Sequence, residues 1–225
     1  MLELRQYQKD IIAKGTEVIR DYGFLYLAME VRTGKTLTSL GICQQLNVDN
    51  VLFLTKKKAK IPDVRWDVIV CDEAHSMGAF PKPSNRAKAV RQLIQRHDPK
   101  VILLSGTPTP ESYSQMYHQV YGLPMNPFNR HATFYKFAHD WVNVKQKKIN
   151  GNLINDYSGG RKDITKAMER FTINFSQKQA GFEVVTKEHV LRVRLRDETY
   201  RLAKRLDKDL VVEGKDEVIL ADTPV

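Results

Sequence analysis

Four short apolar runs in the first half of the chain predict β-strands. They do not alternate with polar residues, which is typical of parallel strands covered by helices on both faces. Between these runs, apolar positions three and four residues apart predict amphipathic helices. The predicted strands are 24–28, 51–54, 68–71 and 101–104, and the predicted helices are 5–20, 35–46 and 86–97. The order indicates an α/β fold, a mostly parallel sheet with helices on both faces.

The pattern changes beyond Glu111 and predicts a small C-terminal α+β extension. Asn150-Gly151 predicts the turn of a β-hairpin, because both residue types accept the positive φ angles that such a turn requires. The tail from 211 to 225 has the character of a linker. The remaining predicted elements are helices at 111–121, 131–141, 163–171 and 197–210 and a strand at 188–195.

The connection between the second and third predicted strands is short. Residues 56–66 separate them, and these include a lysine-rich run followed at once by Ile61-Pro62. A parallel crossover needs about a dozen residues or more, usually with a helix. We therefore expect that a segment is missing from the chain near 59–60; an unusually tight loop is the alternative.

The excess of basic over acidic residues favours a polyanionic partner. The chain has 36 Lys and Arg against 26 Asp and Glu, a net charge of +10 and a pI near 9.5. Nucleic acid is the first candidate partner and an anionic membrane surface the second. A basic, well-solvated surface explains the charge almost equally well, so charge alone does not decide.

Cysteine count and hydropathy exclude several classes of protein. Cys43 and Cys71 are too few for a disulfide framework or a four-cysteine metal site, and Cys71 ends an apolar run that predicts a buried thiol. Residues 1–10 are charged and lack the apolar core of a signal peptide. No apolar stretch approaches the ~20 residues that cross a bilayer. We expect a cytoplasmic protein with no membrane partner.

The segment from Met29 to Thr36 joins a predicted strand to a predicted helix and ends in Gly34-Lys35-Thr36. In this setting backbone N–H groups and the helix N-terminus face a phosphate chain. Gly34 allows close approach of the backbone, Lys35 reaches the β- and γ-phosphates, and the Thr36 hydroxyl is a ligand for Mg²⁺. The general pattern has glycine where this chain has Met29.

Two adjacent carboxylates, Asp72 and Glu73, follow the third predicted strand. Asp72 is expected to be a second anchor for Mg²⁺, through water, and Glu73 to orient or deprotonate the attacking water. His75 is interpreted as a relay between this site and its surroundings. The other histidines show no spacing typical of metal ligands. The sequence thus predicts the chemistry of nucleoside triphosphate hydrolysis, with Lys35, Asp72 and Glu73 as catalytic residues.

Four motifs follow one another along the chain: Leu4-Arg5-x-Tyr7-Gln8, Gly34-Lys35-Thr36, Asp72-Glu73-Ala74-His75 and Ser105-Gly106-Thr107-Pro108. They resemble the motifs of superfamily two helicases, most closely those of the Swi/Snf-type DNA-dependent ATPases with their phage and bacterial members. The resemblance covers residues 1 to about 115 with high specificity. It implies a RecA-like P-loop NTPase lobe that uses ATP and Mg²⁺ in a bacterial or phage-infected cell.

The resemblance also implies roles for further residues. Gln8 reads the adenine edge with Arg5 or Tyr7 beside it, and Thr33 belongs to the nucleotide loop. Ser105 and Thr107 couple the nucleotide state to DNA contacts. Arg32 has two open roles, a phosphate contact and a surface salt bridge. The expected contacts to a nucleic acid strand are Thr55, Lys56 and Lys57.

Family motors have two RecA-like lobes, and the second supplies an arginine finger that is worth orders of magnitude in rate. Nothing after Pro108 resembles the second lobe's motifs. We therefore expect residues 1–180 to be the first ATP-binding lobe and 181–225 a bridge toward the second lobe. The lobe by itself is expected to bind nucleotide weakly and to turn over slowly.

Three hypotheses for function follow. The first is a DNA-dependent ATPase lobe of a translocase, acting on duplex DNA with RNA still open. The second is a strand-separating helicase or the motor subunit of a restriction enzyme. Both contain the same four motifs, so the sequence separates them poorly from the first hypothesis. The third is a nucleic-acid-binding module with a vestigial nucleotide site, against which Lys35, Thr36, Asp72 and Glu73 argue.

Overall fold

The computed structural model describes residues 3–55, 61, 64–149, 152–182, 194, 196–209, 211–213 and 218–220. In this part of the chain there are seven α-helices, nine strands and three short 3₁₀ turns. The helices are α1 Gln6–Tyr22, α2 Lys35–Leu46, α3 Asn85–His97, α4 Met116–Val120, α5 Phe134–Trp141, α6 Asp163–Met168 and α7 Asp197–Asp209. The strands are β1 Phe24–Met29, β2 Val51–Leu54, β3 Val68–Cys71, β4 Lys100–Ser105, β5 Lys145–Ile149, β6 Asn152–Asp156, β7 Thr172–Phe175, β8 Val211–Glu213 and β9 Val218–Leu220.

The central sheet has five parallel strands in the order β2-β3-β4-β1-β7. Every residue of β1 and β3 is buried, because side chains on both faces of the sheet are covered. Phe24, Tyr26 and Ala28 enter one apolar core, whereas the alternate residues Leu25 and Leu27 enter the other. The continuous apolar runs in the sequence follow from this double coverage.

Helices on the two faces complete the two cores. α1 and α2 cover one face through side chains such as Ile12, Ile19 and Ile42. α3, α4, α5 and α6 cover the other, where Tyr117 and Phe137 are almost fully buried. The predicted α/β architecture is confirmed.

Three predicted elements differ from the observed ones. The stretch 111–121 is a 3₁₀ turn at Tyr113–Gln115 followed by the short α4, and the helix predicted at 131–141 begins only at Phe134. The tail predicted as a linker contains β8 and β9, which pair antiparallel, and its linking role stays a prediction. Val211-Val212 and Val218-Ile219 are β-branched pairs on either side of a short segment with Gly214, which favours a hairpin.

The strand β7 was not predicted by the sequence. It adds to the edge of the sheet by pairing with β1, with Tyr26 opposite Thr172 and Met29 opposite Phe175. Its residues Thr-Ile-Asn-Phe mix polar and apolar side chains, and of the four only Ile173 is buried. An edge strand with one buried position leaves almost no periodic signal.

Some predictions fall on residues outside the described ranges. These include the hairpin turn Asn150-Gly151, although β5 and β6 on either side form a two-stranded sheet. The predicted strand 188–195 lies outside as well, except for Arg194. Most of the short connection between β2 and β3 is likewise not described, so the missing segment near 59–60 stays a prediction.

The chain divides into two compact units. One comprises residues 1–147 and 155–184 and holds the five-stranded sheet; the other comprises 148–154 and 185–225 and holds α7 with the β8–β9 pair. The functional boundary expected at 180/181 stays a prediction. In the described part of the chain, no helix has the length and apolar character that crossing a bilayer requires.

A buried hydrogen-bond network fixes the segment after β4. The Tyr26 hydroxyl donates to Gln119 Oε1 at 2.6 Å, and Gln119 Nε2 donates to the Pro108 carbonyl at 2.8 Å. Burial raises the pKa of Tyr26 well above its ordinary value, so the hydroxyl remains a donor. The network connects β1, α4 and the end of the Ser105–Pro108 motif.

We expect Tyr26→Phe to lower the free energy of unfolding by about 1–3 kcal/mol, because the buried Gln119 oxygen loses its donor. Urea denaturation measures this. Tyr135→Phe, at a side chain that is 55% exposed, is the matched control and is expected to change stability by less than about 0.5 kcal/mol. Equal stability of the two variants would contradict the importance of the network.

Candidate nucleotide-binding site

The loop between β1 and α2 is shaped by its own hydrogen bonds. Thr33 is fully buried, and its Oγ1 donates to the Glu30 carbonyl at 2.6 Å, which closes a turn. The Thr33 side chain therefore serves the loop itself. Arg32 has φ 65° and Gly34 has φ 83°, both in the left-handed region. Gly34 is the N-cap of α2 and gives the first amides of the helix no side-chain hydrogen bond. The N-terminus of a helix is a setting in which backbone N–H groups bind anions.

Gly34 also has no room for a side chain. A Cβ atom placed there would overlap Nε2 of Gln8. Gln8 is buried, and its Oε1 accepts a hydrogen bond from the Arg5 N–H at 2.9 Å. The Tyr7 hydroxyl donates to the Thr33 carbonyl at 3.1 Å. The start of α1 thus holds the loop, and the first motif lies directly against the second.

Arg5 lies at the N-cap of α1 and is exposed, with its guanidinium 5.2 Å from the centre of the Phe182 ring. The Lys35 side chain is half-buried, and its Nζ lies 3.5 Å from the Glu30 carbonyl oxygen. Thr36 is exposed in the first turn of α2. The Lys35 ammonium and the Thr36 hydroxyl therefore both lie at the start of α2, next to the loop.

The missed strand β7 supports this loop from its other side. The Glu30 N–H donates to the Phe175 carbonyl, and the Phe175 ring stacks on Tyr7 with centroids 4.6 Å apart. Gln177 donates from its backbone to Glu30 Oε2 at 2.8 Å and from its side chain to the Val31 carbonyl at 3.0 Å. These contacts join residues about 146 positions apart, and no local sequence signal predicts them.

Asp72 and Glu73 follow β3 directly and are both half-buried. The Glu73 N–H donates to Asp72 Oδ1 at 3.0 Å, and Glu73 has φ 51°, a sharp left-handed turn. The Ser76 hydroxyl donates to the Glu73 carbonyl at 2.7 Å. Glu73 is the N-cap of the 3₁₀ segment Ala74–Met77, so this turn starts the segment.

His75 connects the carboxylate pair with the end of β4. Its Nδ1 lies 3.2 Å from Glu73 Oε2 and 3.0 Å from the Ser105 hydroxyl. The Thr107 N–H donates to the same hydroxyl at 3.2 Å, while the Thr107 side chain is exposed. Because β4 lies between β3 and β1, this chain of contacts runs between the carboxylates and the loop. Gly106 packs against the loop backbone, with its Cβ position 3.6 Å from the Met29 carbonyl oxygen.

The expected nucleic acid contacts are only partly described. Thr55 is exposed and directly follows β2, at the same edge of the sheet as the other motifs. Lys56 and Lys57 lie outside the described residues.

Cys43 and Cys71 are buried free thiols, and burial raises their pKa values to about 11 and about 12. Thiols with such pKa values are not nucleophiles near neutral pH.

Arg32 occupies a backbone conformation that glycine adopts more readily. We expect Arg32→Gly to raise the free energy of unfolding by up to about 1 kcal/mol relative to Arg32→Ala, because both lose the side chain but only glycine relieves the strain. Urea denaturation of the two variants gives the difference. A glycine variant no more stable than the alanine variant would show that the loop is not strained at this position.

The fold and these motifs agree with comparisons to known proteins. A family model described as the SNF2-related domain matches residues 9–218. The fold is similar to a Sulfolobus solfataricus SWI2/SNF2 ATPase core in complex with dsDNA, at 15% identity and TM-score 0.51 over 80% of this chain and 46% of that one. It is also similar to the SWI2/SNF2 ATPase core domain of the same organism, at 16% identity and TM-score 0.50 over 77% and 43%.

This chain therefore spans less than half of either solved structure. At such identities the structural likeness shows the fold alone, and it confirms the predicted RecA-like α/β fold. No curated protein matches the chain. The family match extends over most of the sequence, from α1 to β9. The chain belongs to the SNF2-related domain family.

Proposed function

We propose that this chain is the first ATP-binding lobe of a DNA-dependent translocase and that it hydrolyses ATP to ADP and phosphate. One observation carries the proposal. The loop after β1 and the carboxylates after β3 lie at the same edge of a parallel sheet, and contacts through Ser105, Gly106 and His75 run between them. Open α/β sheets bind their ligands at this edge.

The phosphate chain of ATP is proposed to lie on the loop from Met29 to Thr36. The first amides of α2 donate to phosphate oxygens, and the absence of a side chain at Gly34 allows the close approach. Lys35 leaves its contact with the Glu30 carbonyl and reaches the β- and γ-phosphates. Gln8, held against Gly34 by α1, is placed to read the adenine edge with Arg5 beside it.

The residues present fit a magnesium ion that arrives with the nucleotide. Mg²⁺ prefers oxygen ligands and is usually held by one or two carboxylates together with substrate phosphates and water. The exposed Thr36 hydroxyl and the Asp72 carboxylate are such ligands, and they are the residues that would hold it. Among the described residues no group of three or more His, Cys, Asp and Glu could hold a metal alone. Magnesium bound there would neutralise charge on the phosphates.

Glu73 is the proposed base. Its side chain is 38% exposed and so is accessible to water, while His75 Nδ1 fixes one of its oxygens. The water oxygen forms a bond to the γ-phosphorus, the bond from that phosphorus to the bridging oxygen breaks, and the proton passes to the carboxylate. His75, Ser105 and Thr107 are proposed to couple the state of this site to DNA contacts, because a single chain of hydrogen bonds joins them.

The proposed DNA partner rests on three supports. The net charge is +10, Thr55 is exposed at the functional edge, and one similar solved structure is a complex with dsDNA. The second lobe and its arginine finger are proposed from the family pattern, together with slow turnover by this lobe alone. In the complete motor, hydrolysis is proposed to drive movement along DNA.

The test is ATP turnover measured against increasing duplex DNA, with single-stranded DNA and duplex RNA as competitors. We expect saturable stimulation by the duplex, with half-stimulation moving to higher DNA concentration as salt rises, because phosphate contacts dominate the affinity. A flat response to DNA would contradict the translocase proposal. DNA binding without any calorimetric binding of Mg-ATP would identify a vestigial module instead.

A further inference from the structure

Arg86, in the first turn of α3, makes three hydrogen bonds beneath the proposed catalytic edge. Its Nη1 donates to the Ser76 hydroxyl at 3.0 Å, and its Nη2 donates to the Leu54 carbonyl at 3.3 Å. Nη2 also donates to the Asp72 carbonyl. Arg86 is half-buried, and Ser84 fixes the start of its helix by accepting the Ala87 N–H at 3.1 Å.

These three acceptors belong to different parts of the proposed site. Leu54 ends β2 and immediately precedes Thr55, the residue expected to contact a nucleic acid strand. Asp72 is the proposed magnesium anchor. Ser76 connects Arg86 to Glu73, because the Ser76 hydroxyl donates to the Glu73 carbonyl at 2.7 Å. One planar guanidinium therefore joins the nucleic acid segment to both carboxylate residues.

The acceptors on Arg86 are neutral oxygens, so this is not a salt bridge between two surface charges. A guanidinium holds its donors in a rigid plane, whereas the ammonium of lysine is a point charge on a flexible stem. If the end of β2 moves, we therefore expect the rigid guanidinium to shift Asp72 and Ser76 as well. The backbone bond from the Asp72 N–H to the Leu54 carbonyl, 2.9 Å long, shares an acceptor with this connection.

We propose that Arg86 is a positioning residue that transmits nucleic acid contact at the end of β2 to Asp72 and Glu73. The inference rests on the proposed function, because it assumes that Thr55 contacts DNA and that the carboxylates serve hydrolysis. Such transmission is a coupling between two sites, measured by how much DNA changes the nucleotide site. Arg86 itself is proposed to contact neither the nucleotide nor the DNA.

The first measurement compares ATP turnover with and without duplex DNA in wild type, Arg86→Lys and Arg91→Lys. Arg91 is the matched control, since it lies on the same helix but its guanidinium lies 4.2 Å from the Tyr121 ring centre, away from the motifs. We expect the ratio of DNA-stimulated to basal turnover to fall about tenfold or more in Arg86→Lys. Losing a residue that orients the ligands of a metal site typically has an effect of this size. The control is expected to keep the wild-type ratio. An equal loss of basal and stimulated rates in Arg86→Lys would overturn the coupling and leave Arg86 a structural residue.

The second measurement needs no hydrolysis. Hydrogen exchange of residues 72–76 is followed with and without duplex DNA, in the absence of nucleotide. DNA is expected to slow this exchange in wild type and in Arg91→Lys but not in Arg86→Lys. Slowing in all three proteins would overturn the inference, and so would slowing in none while DNA is bound. If wild type neither binds nor hydrolyses Mg-ATP, the proposed function fails, and the exchange result still decides whether Arg86 connects the two segments.

Discussion

Lys35→Ala is expected to lower ATP turnover by about 10²–10³-fold, the usual effect of removing one preorganised donor from a developing charge. The lysine is half-buried in the first turn of α2, beside a loop whose Glu30 and Val31 carbonyls accept hydrogen bonds from Thr33 and Gln177. Steady-state turnover with saturating duplex DNA measures the loss.

Lys14→Ala provides the matched control for this change. Lys14 is an exposed lysine on α1 and has no role in the proposed site. Its removal is expected to leave turnover near the wild-type value. If Lys35→Ala retained more than about a third of wild-type turnover, the role of the loop as a phosphate site would be contradicted, because such donors cost far more when lost.

Glu73→Gln is expected to lower turnover by about 10²–10⁴-fold while Mg-ATP still binds, because general base catalysis is lost and the shape of the side chain is kept. The amide still reaches His75 and the backbone turn at φ 51° is unchanged. Turnover and calorimetric affinity are measured on the same preparation. Loss of both together would instead indicate that Glu73 is needed to bind the nucleotide.

Glu17→Gln removes an exposed carboxylate on α1 and serves as the control for the lost charge. It is expected to bind and hydrolyse ATP as wild type does. If Glu73→Gln turned over ATP at the control rate, another group would have to take the proton from water. His75 would then be the first residue to test, since its Nδ1 lies 3.2 Å from Glu73 Oε2.

The central part of the fold could be predicted from the sequence for a clear physical reason. Strands β1, β3 and β4 are almost fully buried, and the edge strand β2 is half-buried, so their apolar runs are continuous and short. Along the chain, α2 lies between β1 and β2 and α3 between β3 and β4. Polar motifs follow the ends of β1, β3 and β4. Local patterns and spacing carry all of this information.

The support of the site could not be predicted in the same way. β7, Gln177 and Arg86 act through contacts between residues far apart in the chain, such as Arg86 with Leu54 and Gln177 with Val31. An isolated arginine or glutamine in a polar stretch has no periodic signature that separates it from a solvated surface residue. Thr33 shows the same limit at short range, because its sequence position indicates the loop but not that its side chain is buried.

The most direct test of the account is a crystal structure of this chain with Mg²⁺ and a non-hydrolysable ATP analogue. We expect the triphosphate to lie on the amides of residues 32–36 with Lys35 against its outer phosphates. We expect the ion between Thr36 and Asp72, with Glu73 open to water. A nucleotide bound elsewhere, or an ion that neither Thr36 nor Asp72 approaches even through a water molecule, would contradict it.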